Sequence, residues 1–149
     1  MAQPRSIGES ITSIVSRLEQ QLEGVRDEFL MGMAEDLVTS SPIWSGRYVT
    51  SHSIGTSSSA GQFTGNLEKP SEKTTVPEAY RAEGRANLAG DIAALPAKTE
   101  RVYLNNTAPH AYLVEYGGVN MQGRGVYEGV INRANIHLQE AINKVKGGR

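Results

Sequence analysis

The chain of 149 residues contains no cysteine, which excludes both disulfide bonds and thiolate metal sites. Aromatic residues make up only 6% of it, and the formal net charge of −1 gives no general attraction to nucleic acid or anionic membrane. No apolar run approaches the length of a membrane-spanning helix, and the first residues lack the apolar core of a signal peptide. We therefore expect a protein that has no membrane segment and is made in the cytoplasm.

Recognisable catalytic signatures are missing as well. The three histidines, His52, His110 and His137, form no HxxxH or HExxH pair, so a metal site would have to be assembled from three distant elements. The pattern GxSxG is absent, although a serine–histidine–acid triad assembled by the fold stays open at the level of sequence. We expect a protein that is not an enzyme and needs no cofactor or metal, with a small metal-dependent hydrolase as an alternative.

What the chain does have is a long helical pattern at its start. Apolar residues recur every three or four positions from Ile7 to Leu37, and Pro42 ends the pattern. About 33 residues give a helix of roughly 50 Å, whereas a compact domain of this size has a radius of gyration of about 15 Å. The helix is expected either to overhang the domain, where another copy would cover its apolar stripe, or to bend into an ordinary core helix.

The middle of the chain alternates between short patterned segments and polar ones. Residues Arg47–Ile54 alternate as a strand does, and Trp44 just before them is interpreted as a plug that closes the corner between helix and strand. Residues 55–77 hold little that could form a core, which is typical of a binding loop or a docking arm.

The remaining patterns predict a second strand and three more helices. The predicted elements are a weaker helix over Glu78–Leu95, a strand over Thr99–Asn105, a short helix over Pro109–Tyr116 that stops at a left-handed Gly117, and a last helix over Val126–Val145. The sequence thus predicts one domain over residues 1–149, of the α+β class. Its long N-terminal helix and its C-terminal helix would pack on a small antiparallel β-sheet.

Charge is distributed unevenly between the two ends of the chain. Residues 1–40 carry seven acids against three bases, whereas residues 124–149 carry five bases against two acids. This asymmetry fits either two solvated helix faces or complementary ends that meet between copies of the protein.

Two segments, SSPIWSGRYVTSHSI (40–54) and NNTAPHAYLVEYGG (105–118), together resemble the signatures of the small tail-component proteins of long-tailed bacteriophages. In that family a proline leads to a small-Gly-Arg step, and an Asn-rich strand end leads to Ala-Pro-aromatic-Ala and then apolar-Glu-aromatic-Gly. Trp44 and His110 depart from the pattern, since the family usually has Asp in the first region and Tyr or Phe at the second position. The candidate signature and assembly residues are Pro42, Trp44, Gly46, Arg47, Tyr48, Ser51, Asn105, Asn106, Pro109, Tyr112, Glu115, Tyr116 and Gly117.

The resemblance implies a structural protein of the virion, located at the head–tail junction and assembled in the host cytoplasm. Such a tail-completion or head–tail joining subunit forms a ring, commonly of six copies, between the head portal or connector and the tail terminator, tube or sheath. DNA would pass through the ring without sequence-specific binding. A tail terminator or a minor capsid subunit is the alternative, and Arg47 and Glu115 are candidates for an ion pair that joins the two signatures.

Overall fold

Residues 7–57, 73–118 and 121–147 are described by a computed structural model, so most of the predicted 55–77 loop lies outside the described residues. In chain order the elements are α1 (Ile7–Ser40), a 3-10 turn (Val49–Ser51), β1 (His52–Gly55), α2 (Pro77–Ala93), β2 (Tyr103–Asn106), α3 (Ala111–Tyr116), β3 (Gly117–Gly118), β4 (Met121–Gln122), α4 (Val126–Asn132) and α5 (Ala134–Gly147). The predicted α+β class is confirmed, with long helices and small antiparallel sheets. Within the described residues no helix combines the length and the apolarity needed to cross a bilayer.

Helix α1 has the predicted extent, and its N-terminal part projects past the helix that covers the rest of it. Helix α5 runs antiparallel along α1, with Gly32 facing His137 and Gly24 facing Val145 near the end of α5. Further toward the N-terminus, Leu18 and Leu22 are 51% and 70% exposed. This part of α1 therefore carries apolar side chains that the described part of the chain leaves uncovered.

Two neighbouring faces of the second half of α1 pack into two apolar clusters. One cluster is shared with α2, β1 and the 3-10 turn, and its buried members are Leu30, Ala34, Val38, Val49, Ile54, Leu88 and Ile92. The other is shared with α3, α4 and the segments that carry the signatures, and its buried members are Met33, Leu37, Tyr48, Ala108, Val114, Val126 and Val130. Because both clusters use α1, this helix fixes the position of the signature segments.

Strands β1 and β2 join the two signature segments directly. They pair antiparallel with His52 opposite Asn106, and the Thr107 amide donates to the Ser51 carbonyl at 3.0 Å. The predicted strand over Arg47–Ile54 is wrong in its first half, where the 3-10 turn forms instead. The Thr50 and Ser51 hydroxyls there donate to the carbonyls of Gly46 and Arg47, and such local bonds compete with strand pairing.

The predicted last helix is also wrong in one respect, because it breaks at Arg133 into α4 and α5. Arg133 adopts φ −96° and ψ 3°, and its guanidinium forms a two-point bond to Asp36 at 2.7 and 2.8 Å. The break lets α4 pack toward α3 while α5 follows α1.

The charge asymmetry of the two ends is largely used within one chain. Lys144 of α5 pairs with Glu28 of α1 at 2.9 Å, and both Arg133 and His137 contact Asp36 at 2.7 Å. The hydrogen bond from Arg133, followed by those from His137 and Ser40, keeps the pKa of Asp36 well below its usual value despite partial burial. These pairs join the two ends of the chain intramolecularly on partly exposed helix faces; contacts between copies stay a prediction.

Tyr80, rather than Trp44, closes the corner after α1. Trp44 is 58% exposed and has the Lys73 ammonium 5.7 Å from its ring, so its interpretation as a plug is wrong. Gly46 has φ +89°, and any Cβ there would overlap the ring of Tyr80. The glycine both turns the chain and leaves room for that ring, whereas no signal near Trp44 indicated a distant tyrosine.

We predict that Gly46→Ala lowers the free energy of unfolding by about 3 kcal/mol, because it combines a strained positive φ with overlap against Tyr80. Urea denaturation measures the change. Gly90→Ala is the matched control, since an added Cβ at that exposed helical position meets nothing within 4 Å. We expect it to stabilise the protein by about 0.5 to 1 kcal/mol. Equal effects of the two variants would contradict this account of Gly46.

Candidate assembly surface

Strand β2 and helices α3 and α4 enclose an open cleft of about 660 Å³ that we call the tyrosine cleft. Its lining residues are Tyr48, Leu104, Asn105, Asn106, Ala111, Tyr112, Glu115, Tyr116, Tyr127, Glu128, Ile131 and Asn132. Six candidate residues from the sequence, including Tyr112, Glu115 and Tyr116, therefore meet at one place. Pro42, Trp44, Gly46, Arg47, Ser51, Pro109 and Gly117 are not among the lining residues.

The rim of the tyrosine cleft exposes large apolar side chains. Tyr112 and Tyr116 lie one helical turn apart on α3, each is 71% exposed, and their ring centroids are 4.8 Å apart. Ile131 on α4 is 64% exposed beside them. Tyrosine is enriched among the residues that dominate binding at protein interfaces, so this rim has the composition of a contact surface.

Glu115 holds the start of α4 in place. Its two carboxylate oxygens accept hydrogen bonds from the backbone amides of Tyr127 and Glu128, each at 3.0 Å. Gly125, which precedes α4, has no side chain that could cap the helix, so the carboxylate supplies the cap from another element. Sequence reasoning missed this role because no local pattern links residues 115 and 127.

Glycines let the chain fold back tightly between α3 and α4. Gly117 ends α3 with φ 84° and ψ 176°, so the predicted positive φ is confirmed, although the residue is extended rather than helical in ψ. A Cβ on Gly123 would stand 2.6 Å from the Tyr116 backbone carbon, and the next amide, that of Arg124, donates to the Val114 carbonyl at 2.7 Å. This close return positions Glu115 against the amides that it caps.

A buried polar network lies beneath the tyrosine cleft, with His52 at its centre. His52 is 3% exposed, and its Nε2 lies 2.7 Å from Ser41 Oγ. Because the Ser41 hydroxyl already donates to the Leu37 carbonyl, Nε2 carries the proton and donates to Ser41. His52 Nδ1 then accepts from the Tyr127 hydroxyl at 2.7 Å and from the Asn106 amide at 3.2 Å.

Burial controls the protonation of this network. Desolvation lowers the pKa of His52 to about 4, so the ring is neutral at pH 7. Burial first, and then the negative charge of Glu115, raises the pKa of Tyr48 above its usual value. Burial first, followed by the charges of Tyr48 and of Glu115, raises the pKa of Tyr127 as well. The Tyr48 hydroxyl is also buried without a hydrogen-bond partner among the described residues.

Asn106 connects the two signature segments through its amide nitrogen, while its amide oxygen holds the turn before α3. Its Nδ2 donates to the Tyr48 carbonyl at 2.9 Å, and its Oδ1 accepts from the Ala108 amide at 2.9 Å. The Asn105 side chain makes a long contact of 3.5 Å to the Ser57 carbonyl, and Pro109 is exposed just before α3. Of these two asparagines, Asn106 is therefore the one whose side chain links the two signature segments.

The predicted Arg47–Glu115 ion pair stays a prediction. The structure assigns Glu115 the two backbone bonds at the start of α4, while burial, followed by the nearby charge of Arg47, lowers the pKa of His110. Arg47 therefore lies close enough to α3 to act on its first turn.

The Ser41–His52 contact does not have the arrangement of a nucleophile and its base. Ser41 is 2% exposed and donates its proton to a carbonyl, and the far nitrogen of His52 faces a tyrosine and an amide rather than a carboxylate. In residues 7–57, 73–118 and 121–147 no group of three His, Asp or Glu residues could hold a metal ion. Comparisons with protein-family models, curated proteins and solved structures found no match to the chain.

We predict that Glu115→Ala lowers the free energy of unfolding by about 2 kcal/mol, because two amides of α4 lose a charged acceptor. Glu115→Gln keeps one acceptor oxygen and should lose about half as much. Tyr116→Ala, on the exposed side of the same helix, is the control and should change stability by less than about 0.5 kcal/mol. Denaturant unfolding compares the three; a Glu115→Ala variant as stable as Tyr116→Ala would show that the cap contributes little.

Acidification should destabilise the protein through His52. The unfolded ring binds a proton near its ordinary pKa of 6.5, whereas the folded ring resists protonation down to about pH 4. The stabilisation is therefore complete above pH 6.5 and falls by up to about 1.4 kcal/mol per pH unit below it. His110, whose pKa is also lowered, contributes with the same sign.

The test is how much of the change in unfolding free energy with pH is lost in the His52→Gln variant. Denaturant unfolding at pH 7, 6 and 5 gives the slope for each protein, and His110→Gln serves as the comparison. We expect His52→Gln to flatten the curve more than His110→Gln does. A wild-type stability that does not change between pH 7 and 5 would contradict a buried neutral His52.

Proposed function

We propose that the chain is a structural subunit of a bacteriophage neck, a tail-completion or head–tail joining protein that forms a ring homo-oligomer, with six copies, between the head connector and the tail. The observation that carries the proposal is that the inner and outer side chains of the segment 105–118 have different roles. Its inner side chains build the fold, and Tyr112 and Tyr116 stand exposed on the tyrosine cleft, where no catalytic group accompanies them.

Exposed apolar surfaces at two separate places support a ring. The first is the rim of the tyrosine cleft, and the second is the projecting part of α1 that carries Leu18 and Leu22. Leu37 of α1 packs with Tyr48 below the cleft, and about 19 residues of helix separate it from Leu18, or roughly 28 Å. A subunit in a ring contacts its two neighbours through different faces, and two apolar surfaces at opposite ends of one helix meet that requirement.

The charge of the chain fits a wall along which DNA moves. A cationic channel would bind phosphates strongly, whereas this chain has a formal net charge of −1 and pairs several of its bases with acids of α1. In this proposal the subunit assembles in the host cytoplasm and remains in the virion at the head–tail junction. Its partners are copies of itself, connector proteins on the head side, and terminator, tube or sheath proteins on the tail side.

Location in the particle tests the proposal. Antibody raised against the purified chain, applied to particles made from the genome that encodes it, should label the head–tail junction in electron micrographs. Labelling of the tail tip, the fibres or the capsid shell would contradict a neck position, and so would purified particles that lack the chain.

Tail attachment tests the role of the exposed tyrosines. In a phage that lacks this gene, the double variant Tyr112→Ala/Tyr116→Ala should rescue infectious titre at least about tenfold less than the wild type, because two aromatic contacts are lost. Micrographs of the lysate should show filled heads beside separate tails. Ile136→Ala, at an apolar residue of α5 that is 57% exposed, is the matched control and should rescue normally. Normal attachment with the double variant would show that the tyrosines are not needed.

A further inference from the structure

We infer that the tyrosine cleft is a binding site for an arginine side chain presented by a partner protein. The inference rests on the proposed function for the nature of that partner, and on the chemistry of the cleft for the arginine itself. Glu115 and Glu128 supply the only charged side chains among the twelve lining residues, and both are acidic. A cleft of one charge sign favours an occupant of the other sign.

Glu128 is the carboxylate that such an occupant meets first. It is exposed in the first turn of α4, and it makes no ion pair within the described part of the chain. Glu115 is already held by two backbone amides, but each carboxylate oxygen has a second lone pair. Together the two residues supply carboxylate oxygens that can accept hydrogen bonds from a guanidinium group.

The aromatic rim provides the second element of the site. Tyr112 and Tyr116 expose their rings 4.8 Å apart at an angle of 45°, beside the acidic lining. A guanidinium stacks on aromatic faces and is more weakly hydrated than an ammonium, so this combination favours arginine over lysine. The apolar side chains of Leu104, Ala111 and Ile131 can contact the aliphatic stem of the same residue.

An unpaired hydroxyl provides the third, independent element. Tyr48 lines the cleft, is only 4% exposed, and has a hydroxyl with no hydrogen-bond partner in the described residues. Buried polar groups are almost always hydrogen-bonded, and in our inference the guanidinium reaches below the rim of the cleft to donate to this phenol oxygen.

The probe for this site is N-acetyl-arginine amide, and the matched control is N-acetyl-citrulline amide, which has the same shape without the charge. Both are titrated into the ¹⁵N-labelled protein and followed by NMR through the backbone amides of Asn105, Tyr112 and Glu128. Arginine should produce saturable shifts at the cleft, with at least about tenfold weaker binding of citrulline. N-acetyl-lysine amide should fall between them.

Two variants locate the binding. Glu128→Gln keeps the shape of the side chain and should weaken arginine binding about tenfold, and Tyr116→Ala should weaken it severalfold. Glu83→Gln, at an exposed residue of α2 that does not line the cleft, should leave it unchanged. All three sites are exposed, so the amide spectrum of each variant should otherwise remain that of the folded protein.

Each outcome decides the inference. Equal binding of arginine and citrulline, shifts away from the cleft, or no saturable shift would overturn it. Shifts at the same amides that grow with protein concentration, and that arginine amide competes away, would support it and identify the partner as a second copy of the chain. The particle label tests the neck position separately: binding of arginine by a protein that is absent from the neck would contradict only the proposed function.

Discussion

The hydrogen bonds of His52 are the interaction on which the rest of the structure depends. One buried ring joins the end of α1 through Ser41, the end of β2 through Asn106, and α4 through Tyr127. A neutral imidazole is suited to this place because one nitrogen donates while the other accepts, and the pKa of about 4 keeps it neutral at physiological pH. The network lies beneath the tyrosine cleft. The hydrogen bonds that hold α1, β2 and α4 together therefore also hold in place the residues under the proposed contact surface.

Helix α3 shows how six residues can serve the fold and the surface together. Val114 is 3% exposed and packs in the core, Glu115 caps α4, and Tyr112 and Tyr116 face outward. These roles separate by direction around the helix, so a change on the outer side can alter contacts while leaving stability intact. This separation makes defects of the proposed contact distinguishable from defects of folding.

Sequence patterns predicted correctly those parts of the fold that depend on residues close together in the chain. The extent of α1 followed from its apolar spacing and Pro42, and the positive φ of Gly117 followed from its place after α3. The errors come from contacts between distant residues. Nothing near Trp44 indicated that Tyr80 would close its corner, and nothing near Arg133 indicated that Asp36, 97 residues earlier, would bind it at the break between α4 and α5. For the site, six of the signature residues line the tyrosine cleft, but the cap from Glu115 and the lining by Tyr127 depend on how α3 and α4 meet.

The central claim is that the outer side of the segment 105–118 is an assembly contact. A reconstruction of the head–tail junction by electron cryomicroscopy, at a resolution that shows side chains, tests it most directly. The account predicts that Tyr112 and Tyr116 are covered by another protein chain, with an arginine beside Glu128. A junction in which both tyrosine rings face open solvent would contradict it.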